Sequence, residues 1–277
     1  MILLLTLLVA VDGGAGPAPA AAAPKLRDAK RILADYAAAI GDEKAWRKHQ
    51  SVRVKREVSV KSMNFRSVEE TRLVRGGKLL SVSSAPGLGI SRRAFDGRIA
   101  WGDDPIFGLR VLTGAEAEEV RLAATWNVEW HLAEIYAQVR AVPPPPGAPN
   151  PHSLECVELA KREGKPTLTC FDRQGHLRVW EKGVQASQGG DVPYVTRFSD
   201  WRLVEGVRVW HHEEITVGPV TMEGQLLEVA FDEPAPARLF QVPKRVRSLP
   251  ALPAAERRGR AGEPSQGSHQ KAKATGR

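Results

Sequence analysis

"VPYVTRFSDWRLVEGVRVWHHEEITVGPVTMEGQLLEVAF", residues 192–231, contains three strand-like runs and two turns. Glu205-Gly206 separates "VPYVTRFSDWRLV" from "VRVWHHEEITV", and Gly218-Pro219 leads into "VTMEGQLLEVAF". Links this short reverse the chain, whereas a parallel connection needs a dozen or more residues. The stretch therefore reads as an antiparallel meander and argues against alternating strand–helix–strand units.

The same pattern continues upstream. In "SVRVKREVSVK" Val52, Val54, Val58 and Val60 alternate with Arg53, Lys55, Glu57 and Ser59, and Arg56 is the exception on the valine side. That alternation describes a half-buried strand. Turn signals recur at Gly76-Gly77, at Asp96-Gly97 and across Asp172-Arg173-Gln174-Gly175. Asp-Gly suits a tight hairpin because the turn needs positive φ.

Helical spacing marks two regions. Leu26, Ala29, Leu33, Tyr36 and Ile40 form an apolar stripe that Gly41 ends. Thr113 followed by Glu116 reads as a capping box opening a helix through Ala124. Val128, Leu132, Ile135 and Val139 predict a second helix, stopped by "VPPPPGAPNP". The expectation is a mainly β fold with helices (α+β), with about five strands before this insertion and about six after. A sheet of about eleven antiparallel strands must curl. Plugged by about three helices, it forms an open half-barrel with an apolar cavity on its concave face.

Charge and composition divide the chain into three parts. It is 42% hydrophobic and 26% charged, with a net charge of +8. From Lys244 to Arg277 nine Lys/Arg face two Glu, a net of +7, so the rest of the chain carries about +1. The basicity belongs to a tail that is too polar to bury anything. Residues 2–11, "ILLLTLLVAV", are too few to span a bilayer, which takes roughly 20. They suit the apolar core of a signal peptide, followed by small-x-small cleavage patterns in "APAAAA". The expected division is a signal peptide at 1–22, a half-barrel domain at 23–243 and a basic disordered tail at 244–277. Localisation is then periplasmic, exported and soluble, which argues against nucleic acid as a partner.

Cys156 and Cys170 flank "VELAKREGKPTLT". A hairpin turning at Arg162-Glu163-Gly164 sets them opposite each other, compatible with a disulfide in an oxidising compartment. A slip of one residue would place them on opposite faces.

Chemistry is sparse. Asp103 and Asp104 are adjacent, so on a strand they would diverge, and in a loop they are solvated turn residues. In "HHEE", His211 and Glu213 share a strand face, and Asp200 would stand opposite His211. That set is either a three-ligand metal site for a hydrolase or an ordinary cross-strand charge pair. No nucleophile elbow, zincin, P-loop or Cys-x-x-Cys motif occurs, and no cofactor is expected. Trp101, Ile106, Phe107, Leu109, Trp126, Val128, Trp130, Leu132 and Ile135 cluster around the insertion. They are either plain core or a plug that lines a ligand cavity.

Four segments carry a resemblance. "FDGRIAWGDDPIFGLRVLTGAEAE" resembles the Asp-Gly hairpin, Trp and Pro segment of the LolA/LolB-like periplasmic lipoprotein carriers, matched at Asp96, Gly97, Trp101 and Pro105. "TCFDRQGHLRVWE" is similar to a hairpin of the group. "TRFSDWRLVEGVRV" is similar to its F-S-D-[YW]-R-x-V-[DE]-G-V segment, with Phe198, Asp200 and Gly206 matching. "EVAFDEPAPARLFQVP" is similar to its ending, with Leu239, Phe240 and Pro243 matching. The resemblance covers about residues 28 to 243, in order. It implies an eleven-stranded half-barrel that binds acyl chains of lipids or lipoproteins and is not an enzyme. A membrane-protein partner for loading, and an anionic membrane surface met by the basic tail, are the further expected contacts. The alternative within the same fold is an envelope sensor that binds a protein partner.

Overall fold

The computed structural model describes residues 26–41, 43–187 and 190–247. The expected signal peptide at 1–22 and the part of the expected tail beyond Arg247 lie outside the described residues.

The chain opens with helix α1 (Ala29–Ala39) and the short α2 (Glu43–Lys48). Six strands follow: β1 (Ser51–Val60), β2 (Phe65–Val74), β3 (Lys78–Ala85), β4 (Gly89–Phe95), β5 (Ala100–Asp103) and β6 (Arg110–Val111). The insertion contributes α3 (Gly114–Ala123) and α4 (Leu132–Ile135). Then come β7 (Gln138–Val142), β8 (Leu154–Ala160), β9 (Thr167–Asp172), β10 (Arg178–Gln185), β11 (Val192–Val204), β12 (Val207–Val217) and β13 (Val220–Phe231), and finally α5 (Lys244–Arg247).

All 13 strands form one sheet in the order β6-β5-β4-β3-β2-β1-β13-β12-β11-β10-β9-β8-β7. The sheet is an antiparallel meander, hinged where β1 pairs with β13 through Val54↔Val229 and its neighbours. It is not closed, since β6 and β7 are free edges.

Two strands exceed the expected eleven. β6 has 2 residues, below what a periodic pattern registers. β7 occupies the second half of the expected second helix, a correction with a clear cause. Asn127 at φ 58 turns the chain into a single 3-10 turn at Val128–Trp130, and α4 lasts 4 residues. Tyr136 leaves α4 in an extended conformation, and Val139 pairs with Leu159. Edge pairing with β8 outweighs the helical spacing of the apolar residues.

α1 forms as its stripe predicts. Asp28 caps it by accepting from the Arg31 amide at 3.0 Å. Ile32, Leu33 and Tyr36 bury against Val157, Leu159, Phe171 and Leu132. Leu26 precedes the helix and is exposed. Thr113 is the N-cap of α3, but the side-chain bond of a capping box is not made. Glu116 accepts from Arg110 at 3.2 Å.

The insertion joins one free edge to the other, so it must cross the open side of the sheet. α3 rests Val120 and Ala124 against Leu79, Ala100 and Leu112 on the β3–β5 end. Its Glu119 accepts from Lys161 at 3.4 Å and from the Ala186 amide at 3.0 Å on the other end. With its amide oxygen turned toward Arg93, Gln185 accepts at 2.8 Å from Nη1, linking β10 to β4.

Alternation along β5 sends Trp101 to the convex face. There Trp101 packs with Ala94, Val242 and Val246. Helix α5 thus belongs to the fold, with Val246 1% exposed, although it lies within the segment expected to be tail. Cys156 faces Cys170 in the β8–β9 register, and a disulfide joins them.

Candidate functional site

The concave side of the sheet holds three neighbouring hollows that share lining residues. The first, of about 210 Å³, is aromatic and aliphatic. Tyr36 and Trp46 from the N-terminal helices, Val52 and Val54 of β1, Leu73 of β2 and Val229 of β13 line it, with Trp130, Trp201 and Trp210. Strand alternation explains the set, because Val52 and Val54 stand opposite Leu73 and Thr71 on the inward face. Trp46 lies 5.6 Å from the Trp130 ring and 5.1 Å from Trp126, forming an aromatic roof.

Two further hollows, about 350 and 430 Å³, mix charged and apolar side chains, and the larger is walled by Val58, Phe198, Ile215 and Met222 as well as by its charges. Both are bounded by Arg178, Glu181, Gln185 and Tyr194. Glu129 borders the aromatic hollow as well as the first of these. Arg178 therefore stands with Glu129 and Glu181 where the three hollows meet. Its Nη2 donates to Glu129 at 2.9 Å, and Nη1 donates to Glu181 at 3.5 Å. Its guanidinium lies 4.6 Å from the Phe198 centroid and 4.9 Å from that of Trp210. Tyr36 donates to Glu129 and Tyr194 to Glu181, each at 2.8 Å.

Hydrogen-bonded charge pairs hold this septum together. Burial pulls the Arg178 pKa down, but the Glu129 and Glu181 carboxylates more than reverse that and raise it. Burial, followed by the charge of Glu129, pushes the Tyr36 hydroxyl well up, so it stays a neutral donor. A second cluster sits deeper on the sheet. Arg56 bonds Glu69 at 2.5 Å and also bonds Glu213. Burial opposes ionisation of Glu69, yet the Arg56 charge and the Ser81 hydroxyl bring its pKa below the ordinary value. Two strand glycines leave room for these side chains. A Cβ on Gly183 would lie 2.6 Å from the Tyr194 hydroxyl, and one on Gly224 would lie 2.5 Å from Glu213 Cγ.

The residues expected to line the cavity divide. Val128 and Leu132 line the hollows, and Trp126 stacks on the roof. Trp101 does not, because it is buried at 4% exposure on the opposite face. Leu109 packs against the same convex cluster. Ile106 at 82% and Phe107 at 44% exposure sit with Pro105 at a separate rim hollow of about 370 Å³. Ile135 is half-buried on α4 and lines none of these hollows.

The motif residues build turns and walls. Asp96 accepts from the Arg98 and Ile99 amides, and Gly97 has φ 99. Asp104 likewise accepts from the Ile106 and Phe107 amides, while Asp103 lies 3.6 Å from Arg92. Glu205 and Gly206 both take positive φ in the β11–β12 turn. Phe198 faces the septum, Phe240 is buried, Leu239 is half-buried, and Pro243 accepts from the Val246 amide.

The metal reading of Asp200, His211 and Glu213 is not supported by the arrangement. The β11–β12 ladder pairs Trp201 with Trp210 as expected but skips Asp200, which has φ 55, and His211. Asp200 binds Arg202, Glu213 binds Arg56, and His211 Nδ1 lies 3.0 Å from the Val209 carbonyl. Among the described residues no three His, Cys, Asp or Glu side chains converge as a metal site. No helix among them is long and apolar enough to cross a membrane.

Sequence reading missed Tyr36, Trp46, Trp201, Trp210, Glu129 and Arg178 as site residues. Alternation carries a signal for Val52, Val54 and Arg56, but the septum joins residues from α1, the insertion and β10 that no local pattern relates.

No protein-family model matches the sequence, and no curated protein matches it. Solved structures do match. A putative outer membrane lipoprotein-sorting protein domain from Vibrio parahaemolyticus is 9% identical, over 77% of this chain and 97% of that one, with a TM-score of 0.50. A LolA superfamily protein from Nitrosomonas europaea is 12% identical, over 78% and 98%, with a TM-score of 0.49. At such identities the likeness is one of fold. The open antiparallel sheet, curved around helices that cross its concave side, is a LolA-like fold.

Proposed function

We propose that the protein is an exported, non-enzymatic carrier that shelters acyl chains of a lipid or lipoprotein on the concave side of its sheet. The observation that carries this reading is the aromatic hollow of about 210 Å³ between α1, α2 and the sheet. Sequestering each methylene there is worth about 0.8 kcal/mol, so a modest length of chain suffices for useful affinity. The insertion is the element that would shift to admit cargo, since it crosses the open side and is tied to the β8–β10 end through Glu119. The periplasm is the proposed site of action. The basic tail would favour anionic membranes, at roughly 1 kcal/mol per basic residue near the surface.

The test is mass spectrometry of organic extracts from protein purified natively from its own envelope fraction. A defined lipid or acylated peptide near one per protein, absent from a folded Val54→Asp variant, is the expected result. An empty protein that also takes up no uncharged fluorescent amphiphile overturns the reading.

A further inference from the structure

We infer that Arg208 is the seat of an anionic headgroup: the aromatic hollow takes the hydrocarbon chain of an amphiphile whose phosphate or carboxylate pairs with the Arg208 guanidinium at the rim. The inference rests on the proposal that acyl chains occupy this hollow, and it names the class of cargo that the hollow prefers.

The sheet itself makes the rim. β12 and β13 pair from Val217↔Val220 to His212↔Gln225. Beyond that point β12 follows β11 as far as Val204↔Val207, and β13 follows β1 as far as Val52↔Phe231. The hollow lies where the two strands part, with Val207 to Trp210 on one side and Val229, Val52 and Val54 on the other. Gly41 pairs with Val207, and the Arg208 amide donates to the Ile40 carbonyl at 2.6 Å, so this end of β12 is held against the end of α1.

Alternation then fixes the direction of the side chains. Arg208 and Trp210 are two residues apart and share a face, and their partners across the ladder are Leu203 and Trp201. Trp201 and Trp210 wall the hollow, with their ring centroids 5.5 Å apart. Arg208 lines the same hollow about 7 Å farther along the strand, and it is exposed. Leu203 beside it is 68% exposed, which offers an apolar surface to the methylenes next to a headgroup.

Charge singles out Arg208. Of the four basic side chains that line the three hollows, Arg56 is bonded by Glu69 and Glu213, Lys161 by Glu119, and Arg178 by Glu129 and Glu181. Arg208 has no carboxylate partner among the described residues. The nearest acidic residues along the chain face elsewhere, Glu205 toward His49 and Asp200 onto Arg202. The four carboxylates in the combined lining equal the four cations, so no net charge opposes an anion at the rim. A guanidinium presents paired N–H donors that match a carboxylate or a phosphate. Because Arg208 reaches solvent, an anion there keeps much of its hydration and escapes the cost of burial. The preference is therefore modest in size and is screened by salt.

The experiment uses the full chain and the uncharged fluorescent reporter N-phenyl-1-naphthylamine. The reporter is displaced at pH 8 by dodecyl phosphate, by dodecanoate or by uncharged monododecanoylglycerol, each below its micelle concentration. Arg208→Gln is expected to weaken competition by at least one of the anions about fivefold and to leave the glycerol ester unchanged. Arg208→Lys, which keeps the charge and loses the fork, should retain part of the effect. On the unaltered chain, high salt should weaken the anions relative to the ester. A larger loss for the phosphate assigns a phospholipid headgroup, and a larger loss for the carboxylate assigns a free fatty acid.

If the folded Arg208→Gln chain binds anions and ester as the unaltered chain does, the inference is overturned and the carrier reading stands. Anion competition that holds level with the ester in high salt overturns it as well, and that result needs no variant. If none of the three compounds displaces the reporter, the carrier reading and the inference fall together.

Discussion

Arg178 shows what a buried cation costs when its partners are removed. It is 8% exposed, and two carboxylates, two tyrosine hydroxyls and two aromatic rings are arranged around it. Arg178→Met strands Glu129 and Glu181, and a broken buried pair costs about 3–5 kcal/mol. Urea denaturation should show that loss, and Glu129→Gln with Glu181→Gln in the same chain should restore most of it. A single-variant cost below about 1 kcal/mol would mean that the charges are solvated rather than buried. Arg56 invites a pH test. Its partner Glu69 has a folded-state pKa below the ordinary 4.5. Above pH 4.5 the carboxyl is ionised in both states and the stabilisation is fully present. As the pH falls below that value the unfolded chain takes up the proton first, so stability declines until the native pKa is passed. Between pH 6 and pH 3 the unfolding free energy of Glu69→Gln should therefore fall less steeply than that of the unaltered protein. Arg56 is legible in the sequence as the one charge on a valine face. Its partners are not, because they come from β2 and β12, which only the folded sheet brings alongside.

Elements were readable where local rules act alone. The stripe of α1, the Asp96-Gly97 turn and the Glu205-Gly206 turn each follow from spacing or turn chemistry within a few residues. The second helix of the insertion failed because its second half, with Val139 at its centre, is worth more as an edge strand beside β8. The β8–β9 hairpin offers a clean element-scale test. Its disulfide closes a separation of 14 residues, for which loop-closure entropy predicts a contribution of about 3 kcal/mol. Cys156→Ala with Cys170→Ala should lower stability by about that amount, and reductant should then have no further effect on the variant. Strand β13 offers another. Gly224 faces Glu213 so closely that a methyl group must push the carboxylate aside, and Arg56 with it. Gly224→Ala should cost about 1–3 kcal/mol. In a Glu213→Ala background, where the obstructing side chain is gone, the same substitution should cost much less.

The meander of the whole molecule is written in its short turns, but three features that give it shape are not. No turn announces the β1–β13 pairing that joins the two halves of the sheet. The insertion crosses the open side only because it links opposite edges. The third feature is the return of the C-terminal segment across the convex face, which composition conceals because Lys244, Arg245 and Arg247 look like the start of the basic tail. Val246 lies between them, 1% exposed, against Ala94 and Trp101. A chain ending at Arg247 and a chain ending at Pro243 differ by four residues, of which Val246 is the deeply buried apolar one. Burying such a side chain is worth about 1.5–3 kcal/mol, and uncovering Trp101 adds to the loss. The shorter chain should therefore unfold at lower urea by about 2 kcal/mol or more, and Trp101 emission should shift to the red in a background where the other tryptophans are replaced by phenylalanine as far as folding allows. Val246→Ser in the full chain should reproduce much of the loss without removing any charge. If instead the two truncated chains unfold together, α5 contributes nothing to the fold and the domain ends at Pro243 after all.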